Sequence, residues 1–260
     1  MPRAALAIQT LWWREITRFR RQRSRLVGAV AQPLLFWLLL GGGFRASFRP
    51  PGMAEGVDYL EYFYPGIMAL VMLFTAIFAT ISTVEDRREG FLQGVLVAPV
   101  TRTSIVLGQA LGGTTLALLQ AALFLVFAPL AGVTMSVTSV LAVVVVLFCI
   151  AFGMTNLGLI IAWRMHSIQG FHAIMNLILI PLWVLSGAFF PAEGTPLWLA
   201  WVMRINPLTY GMAALRRSLY LTQGSGVGAV PGLVLSIGVT VLFGLIALLA
   251  AVQTARKSTL

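Results

Sequence analysis

The chain has 260 residues, of which 59% are apolar and only 10% are charged. A soluble domain carries about 25% charged residues, so the composition excludes an ordinary water-soluble fold and predicts an integral membrane protein. The net charge is +10, mostly from arginine. On so apolar a chain, this excess predicts contact with membrane lipids rather than with nucleic acid.

The first 25 residues predict an amphipathic helix rather than a membrane span. The apolar face has Ile8, Trp12, Ile16 and Phe19, and the opposite face has Arg14, Arg18, Arg21 and Arg25. We expect this helix to lie in the inner headgroup layer, with tryptophan at the interface and arginine toward phosphate. It is either a simple anchor or an element that also touches a cytoplasmic partner.

Six apolar runs are long enough to cross a bilayer, which takes about 20 helical residues. They are residues 26–44, 62–84, 105–130, 137–163, 171–190 and 230–252, and none contains a charged residue. Pro181 lies within the fifth run, where a membrane helix can tolerate it. The runs predict an all-α membrane protein with six transmembrane helices.

The orientation of these spans follows from the distribution of arginine and lysine between the loops. Thirteen cations lie on the side of the two termini, whereas five lie on the other side: Arg45, Arg49, Arg204, Arg216 and Arg217. We therefore expect a multi-pass protein of the cytoplasmic (inner) membrane with both termini in the cytoplasm.

The segment 191–220 is apolar but cannot form a seventh span. Burying Arg204, Arg216 and Arg217 at mid-bilayer would cost about 2.5–3.5 kcal/mol each, against about 0.3–0.6 kcal/mol returned per apolar residue. The segment predicts an external re-entrant pair of short helices, broken at Pro196 and at Asn206–Pro207. An ordinary external loop is the alternative.

Several kinds of chemistry find no support in the sequence. There is no G-x-x-x-x-G-K-[ST] phosphate loop, and the single cysteine, Cys149, excludes a disulfide within the chain. His166 and His172 have no companion acid, so we expect no metal site. The alternatives to a driven permease are a self-contained secondary carrier or channel and a membrane enzyme acting on lipids. The predicted spans hold no carboxylate, which argues against the carrier and the enzyme. The chain is thus expected not to be an enzyme, and any transport needs an outside energy source.

A charged segment separates the second and third spans. Glu85, Asp86 and Glu89 would occupy the first turns of a helix, where the helix dipole favours negative charge. Phe91, Leu92, Val95 and Leu96 would share one face, and Pro99 would end the helix. The pattern predicts one amphipathic cytoplasmic helix over residues 85–98, which either lies on the bilayer or docks on a soluble motor.

Two separated stretches resemble the permeases of ABC type-2 transporters. The first is Glu85-Asp86-Arg87-Arg88-Glu89-Gly90 followed by residues 95–102, VLVAPVTR; the second pairs residues 185–191, LSGAFFP, with residues 206–216, NPLTYGMAALR. Length, span number and the basic N-terminal helix also fit. Among members, the chain looks most like drug-resistance and nodulation-type permeases without a fused ATPase.

The resemblance implies a single transmembrane domain over residues 1–260, with a fold like that of type V ABC exporters. Two permease copies would pair above two separate ATPase chains, which would hold the ATP and Mg²⁺, and this chain would bind no cofactor. The coupling helix would use Glu85, Asp86, Arg87, Arg88, Glu89, Gly90, Phe91, Leu92, Leu96, Pro99 and Arg102. The connecting helix beside it would use Trp12, Arg14, Arg18 and Arg21.

The resemblance also implies a substrate path at the twofold axis, lined by spans one, two and five and capped outside by the re-entrant helices. The candidate path residues are Phe74, Thr75, Phe78, Asn176, Ile180 and Trp183. Ordinary helix packing or lipid contact is the alternative for each of them. Such walls would suit export of an amphipathic, lipid-linked or drug-like cargo by alternating access.

Overall fold

A computed structural model of the chain describes residues 2–21, 23–44, 59–221 and 230–257, and every regular element in these ranges is helical. The α-helices are α1 (Pro2–Arg21), α2 (Arg23–Phe44), α3 (Tyr59–Ala79), α4 (Ile81–Arg88), α5 (Phe91–Val97), α6 (Arg102–Leu125), α7 (Val137–Ala162), α8 (Ile168–Trp183), α9 (Leu197–Ile205), α10 (Pro207–Leu219) and α11 (Leu233–Lys257). A 3-10 turn (Ala128–Ala131) follows α6, and a π turn (Val184–Ala188) follows α8.

Five helical segments among the described residues are long and apolar enough to cross a membrane. They are Tyr59–Arg88, Arg102–Leu125, Val137–Ala162, Ile168–Ala188 and Leu233–Lys257, and they coincide with the second to sixth predicted runs. The first predicted run, 26–44, lies within α2, of which Pro33–Phe44 is a shorter apolar helix. A sixth span therefore stays a prediction.

The core is built around α3, which packs against α2, α6, α7 and α8. Phe63 and Tyr64 of α3 are completely buried, and the Tyr64 ring stacks on Phe124 of α6 with 5.4 Å between ring centroids. Trp37 of α2 joins this group and donates from Nε1 to the Leu60 carbonyl at 3.0 Å. Because α3 touches α2, α6, α7, α8 and α10, any displacement of it must change the packing of the whole bundle.

Helix α1 packs along the first half of α6. A Cβ atom on Gly108 would come within 2.8 Å of the Leu11 Cβ, and one on Gly112 within 2.8 Å of the Glu15 Cβ. Trp12, expected at the lipid interface, instead donates from Nε1 to Thr115 Oγ1 at 3.0 Å. Glycines on α6 thus allow the two backbones to approach closely, and Trp12 is used in helix packing, while the place of α1 in the headgroup layer stays a prediction.

The end of α8 and the α9–α10 pair form one hydrogen-bonded unit. Helix α9 starts after Pro196, and α10 starts at Pro207 with Asn206 as its N-cap, so both breaks lie where the sequence predicted them. Asn206 Nδ2 donates to the Leu182 carbonyl at 2.7 Å, and Arg216 Nη2 donates to the Gly187 carbonyl at 3.0 Å. The irregular backbone after Pro181 thus finds its partners in α10.

Candidate functional site

The segment expected to form one coupling helix is divided into two helices. Helix α4 follows α3 after the single residue Thr80 and ends at Arg88, and α5 covers Phe91–Val97. Gly90 separates them with φ of +78°, a backbone conformation that costs other residues about 1–2 kcal/mol. The predicted single helix over residues 85–98 is therefore wrong, although α5 does end just before Pro99.

Glu85 and Asp86 were predicted in the first turns of a helix, but the structure places them near the carboxyl end of one. Glu85 and Asp86 are in the last turns of α4, where the helix dipole disfavours negative charge. Two arginines of α1 compensate: Arg14 and Arg18 both donate to Asp86 Oδ1, with an N–O distance of 3.2 Å for Arg18, and Arg18 also donates to Glu85. We call Arg14, Glu15, Arg18, Glu85 and Asp86 the charge cluster.

The charge cluster corrects the expectation that the arginine stripe faces lipid phosphate. Arg14 and Arg18 bind carboxylates 67–72 residues away in the chain, and the Arg14 guanidinium also lies 3.9 Å from the centre of the Phe91 ring. Arg21 is exposed, and the Arg25 side chain lies outside the described residues. The cluster thus joins the connecting and coupling segments to each other.

The apolar face of α5 is divided between the interior and the surface. Leu92 is 2% exposed and belongs to a buried cluster that includes Leu11 and Ile105. Leu96 packs partly against the same cluster, whereas Phe91 is 42% exposed and Val97 is 81% exposed. Leu92, expected to meet a partner, is therefore used inside this chain.

The remaining residues of the predicted coupling set take different positions. Arg87 donates to the Trp163 and Met165 carbonyls at 2.7 and 3.0 Å, which satisfies the carboxyl end of α7. Arg102 is in the first turn of α6. Arg88, Glu89 and Pro99 are exposed. The exposed part of the set is therefore concentrated around the α4–α5 turn, formed by Glu89 and Gly90, and the end of α5.

All six predicted path residues line one cavity of about 750 Å³. Phe74, Thr75 and Phe78 come from α3, and Asn176, Ile180 and Trp183 come from α8. Pro33 and Phe36 of α2 and Leu116 and Gln120 of α6 complete the walls. Thr75 Oγ1 lies within hydrogen-bonding reach of the Val71 carbonyl and of Gln120 Oε1, and its single hydrogen can be donated to either oxygen.

One end of the cavity is polar, and sequence reasoning missed it. Glu15, Arg18, Ser82 and Glu85 line that end, so the cavity and the charge cluster share residues. Glu15 follows Leu11 by four residues and Trp12 by three, which places an acid on the packed face of α1. The sequence did contain a signal for this polar end, because an acid on the apolar face of a helix is uncommon and Glu15 occupies such a position.

Glu15 is the most buried acid that lines the cavity. It is 5% exposed, and its Oε1 has no hydrogen-bond partner among the described residues. Burial raises the pKa of Glu15, and Asp86 adds to the shift, while Arg14, Ser82 and Arg18 oppose it. The Arg14 Nη1 atom is 4.0 Å from Glu15 Oε1, which is too long for a hydrogen bond.

Apolar helices long enough to span a bilayer surround the cavity, an architecture that suits a membrane transport protein. The profile of the ABC-2 type transporter family matches residues 6–220. The chain therefore belongs to the ABC-2 type transporter family and is a membrane transport subunit of an ABC transporter rather than its ATPase.

Named relatives agree with this assignment. The chain is 28% identical to the transport permease ycf38 of Cyanophora paradoxa over 76% of this chain and 68% of the relative. It is 27% identical to nodulation protein J of Rhizobium leguminosarum bv. trifolii, over 83% and 82%. It is 25% identical to the daunorubicin resistance ABC transporter permease protein DrrB1 of Streptomyces coeruleorubidus, over 85% and 77%.

Proposed function

We propose that this chain is the permease of an exporter in the cytoplasmic membrane, driven by a separate ATPase that holds ATP and Mg²⁺. Two copies would pair, each with six spans and cytoplasmic termini, in a type V-like assembly with two ATPase chains. The observation that carries the proposal is the charge cluster, which joins α1 to α4 beside an exposed turn. A surface of this kind suits a partner that pushes on the membrane helices.

The connection from this turn to the cavity is short and direct. Helix α4 is separated from α3 only by the bend at Thr80, and α3 supplies Phe74, Thr75 and Phe78 to the cavity wall. Arg14 and Arg18 tie α4 to α1, which packs along α6. Displacement of the turn would therefore move α1 and α3 together and change access to the cavity.

The walls of the cavity support an amphipathic, lipid-linked or drug-like cargo. Most lining residues are aliphatic or aromatic, and the charged ones are gathered at one end. A volume of about 750 Å³ is within the range of about 300–1,000 Å³ usual for small-molecule sites. One relative is named as the permease of a daunorubicin resistance ABC transporter, and removal of a compound from the cell is one way in which a transporter produces resistance, which supports export as the direction.

The α9–α10 pair would cap the path on the outer side as a re-entrant hairpin. Leu197, Trp198 and Trp201 of α9 are exposed, and aromatic side chains favour the membrane interface. Arg216 is buried, with its guanidinium 3.9 Å from the centre of the Tyr62 ring. Pairing of this arginine supports placement of α10 within the outer leaflet, where an unpaired charge would be costly.

The proposal is tested with the permease and its ATPase reconstituted in proteoliposomes. We expect Glu85→Ala and Glu89→Ala to reduce transport and substrate-stimulated ATP hydrolysis, because Glu85 braces α4 and Glu89 lies at the exposed turn. The matched control is Glu193→Ala, since Glu193 is an exposed acid beyond α8. Normal transport and normal stimulation in both test variants would overturn the proposal.

A self-contained secondary carrier is the second candidate, and one observation favours it. Glu15 lines the cavity as a buried carboxyl with a raised pKa, and buried carboxyls of this kind serve as proton relays in carriers. The permease alone would then move substrate in liposomes under a proton gradient. Transport that needs both the ATPase and ATP excludes this candidate.

A further inference from the structure

Among the described residues, the polar end of the cavity has more carboxyl groups than cationic groups. Three charged side chains line it, namely Glu15, Arg18 and Glu85. Arg18 is already bound to Glu85 and to Asp86. His172 also lines the cavity, and its ring lies 5.1 Å from the Phe78 ring, centre to centre.

The imbalance extends to the whole charge cluster, where three carboxylates meet two guanidiniums. Arg14 and Arg18 converge on Asp86, so Glu15 has no hydrogen-bonded cation among the described residues. A buried carboxylate with no hydrogen-bonded cation is costly, and a proton or a further cation stabilises it. Because burial raises the pKa of Glu15, its ionised form is unfavourable until such a cation arrives.

We propose that Glu15 receives the protonated amine of an amphipathic molecule in this cavity, an inference that rests on the proposed transport function. The ammonium group would donate to Glu15 Oε1, and the apolar body would lie along Phe74, Phe78 and Trp183. An ammonium group brings three hydrogen-bond donors, and aromatic walls also attract cations. Within the described residues no three His, Cys, Asp or Glu side chains are placed to hold a metal ion, which favours an organic cation.

The test compares two probes on the full-length permease in phosphatidylcholine nanodiscs. Both are dansyl-labelled amphiphiles with the same alkyl chain, and one ends in a primary amine while the other ends in a hydroxyl group. We expect wild type to bind the amine probe about tenfold more tightly than the hydroxyl probe, equal to about 1.4 kcal/mol. The affinities are measured by fluorescence titration at neutral pH.

Variants locate the effect at Glu15. Glu15→Gln should remove the amine preference and leave binding of the hydroxyl probe unchanged, which also shows that the variant is folded. Glu15→Asp should keep the preference, and so should Glu193→Gln, which removes an exposed acid elsewhere. The proposal would be overturned if wild type bound the two probes with equal affinity, a result that needs no variant. It would also be overturned if Glu15→Gln kept the amine preference.

Two further experiments are added. The first asks whether the amine belongs to a lipid or to a free amphiphile, and the second asks whether the proposed transport function holds. If added phosphatidylethanolamine competes with the amine probe, the natural ligand is a lipid amine; without competition it is a free amphiphile. With the ATPase and ATP, export of both probes without amine preference would refute the role of Glu15 and keep the transport function. Amine binding through Glu15 without ATP-driven transport would support the site and refute the function.

Discussion

At the scale of single residues, Glu15 links the packing of α1 to the chemistry of the cavity. Its Cβ and Cγ atoms pack on Gly112 of α6, and its carboxyl lines the cavity beside Ser82. Its helix neighbours Leu11 and Trp12 face the same way. An acid held in this position by close helix packing cannot turn to solvent, so its charge state must respond to burial.

The stability of the protein should therefore depend on pH through Glu15. Its pKa is raised above the ordinary 4.5, so the folded state keeps a proton that the unfolded chain releases. As the pH rises from about 4.5 through the raised pKa, the free energy of unfolding of wild type should fall relative to that of Glu15→Gln. Above the raised pKa, the difference between the two proteins should stay constant. Melting temperatures in detergent between about pH 4 and about pH 8 measure this, with Glu193→Gln as control. A constant difference across that range would contradict the expectation.

Asp86 should matter to stability far more than its exposed neighbour Glu89. Asp86 is 1% exposed and accepts from Arg14 and Arg18. Asp86→Ala should lower the free energy of unfolding by about 2–3 kcal/mol, because two guanidiniums lose their partner. Glu89→Ala should change it by less than about 0.5 kcal/mol. Thermal unfolding compares them, and Arg14→Met should restore part of the loss in the Asp86 variant; equal losses would count against this account.

At the scale of elements, one side of α5 packs inside this chain and the other side lies at the surface. Leu92 packs into the buried cluster with Leu11 and Ile105, and Val97 points to the surface. Leu92→Ala should cost about 2–5 kcal/mol of stability through the cavity that it leaves. Val97→Ser should leave the melting temperature unchanged but weaken co-purification with the ATPase. If Val97→Ser lowers the melting temperature as much as Leu92→Ala, this division is wrong.

At the scale of the whole molecule, the proposed orientation places the α4–α5 turn inside the cell and the α8–α9 loop outside. In a Cys149→Ser background, Glu193→Cys should react with a membrane-impermeant maleimide in intact cells. Val97→Cys should react only after the cells are opened, although both positions are exposed. Labelling of Val97→Cys in intact cells would reverse the topology and remove the docking surface from the ATPase.

Local features of the sequence were enough to place most helices. The apolar runs coincide with five described helices that are long and apolar enough to span a membrane, because crossing a bilayer core takes about 20 apolar helical residues. The breaks at Pro196 and Asn206–Pro207 were also predictable, since proline lacks the donor that continues a helix. The break at Gly90 was not, because a helix can tolerate an isolated glycine at a cost of about 1 kcal/mol.

The sequence by itself determined the membrane class and the helical content, and it suggested side chains for a cavity wall only through a family resemblance. Only the tertiary structure decided what those side chains contact. Arg14 and Arg18 meet carboxylates 67–72 residues away, and Leu92 turns inward rather than toward a partner. The physical reason is that helix period and hydropathy are set by near neighbours in the chain, whereas ion pairs and burial depend on how distant helices pack.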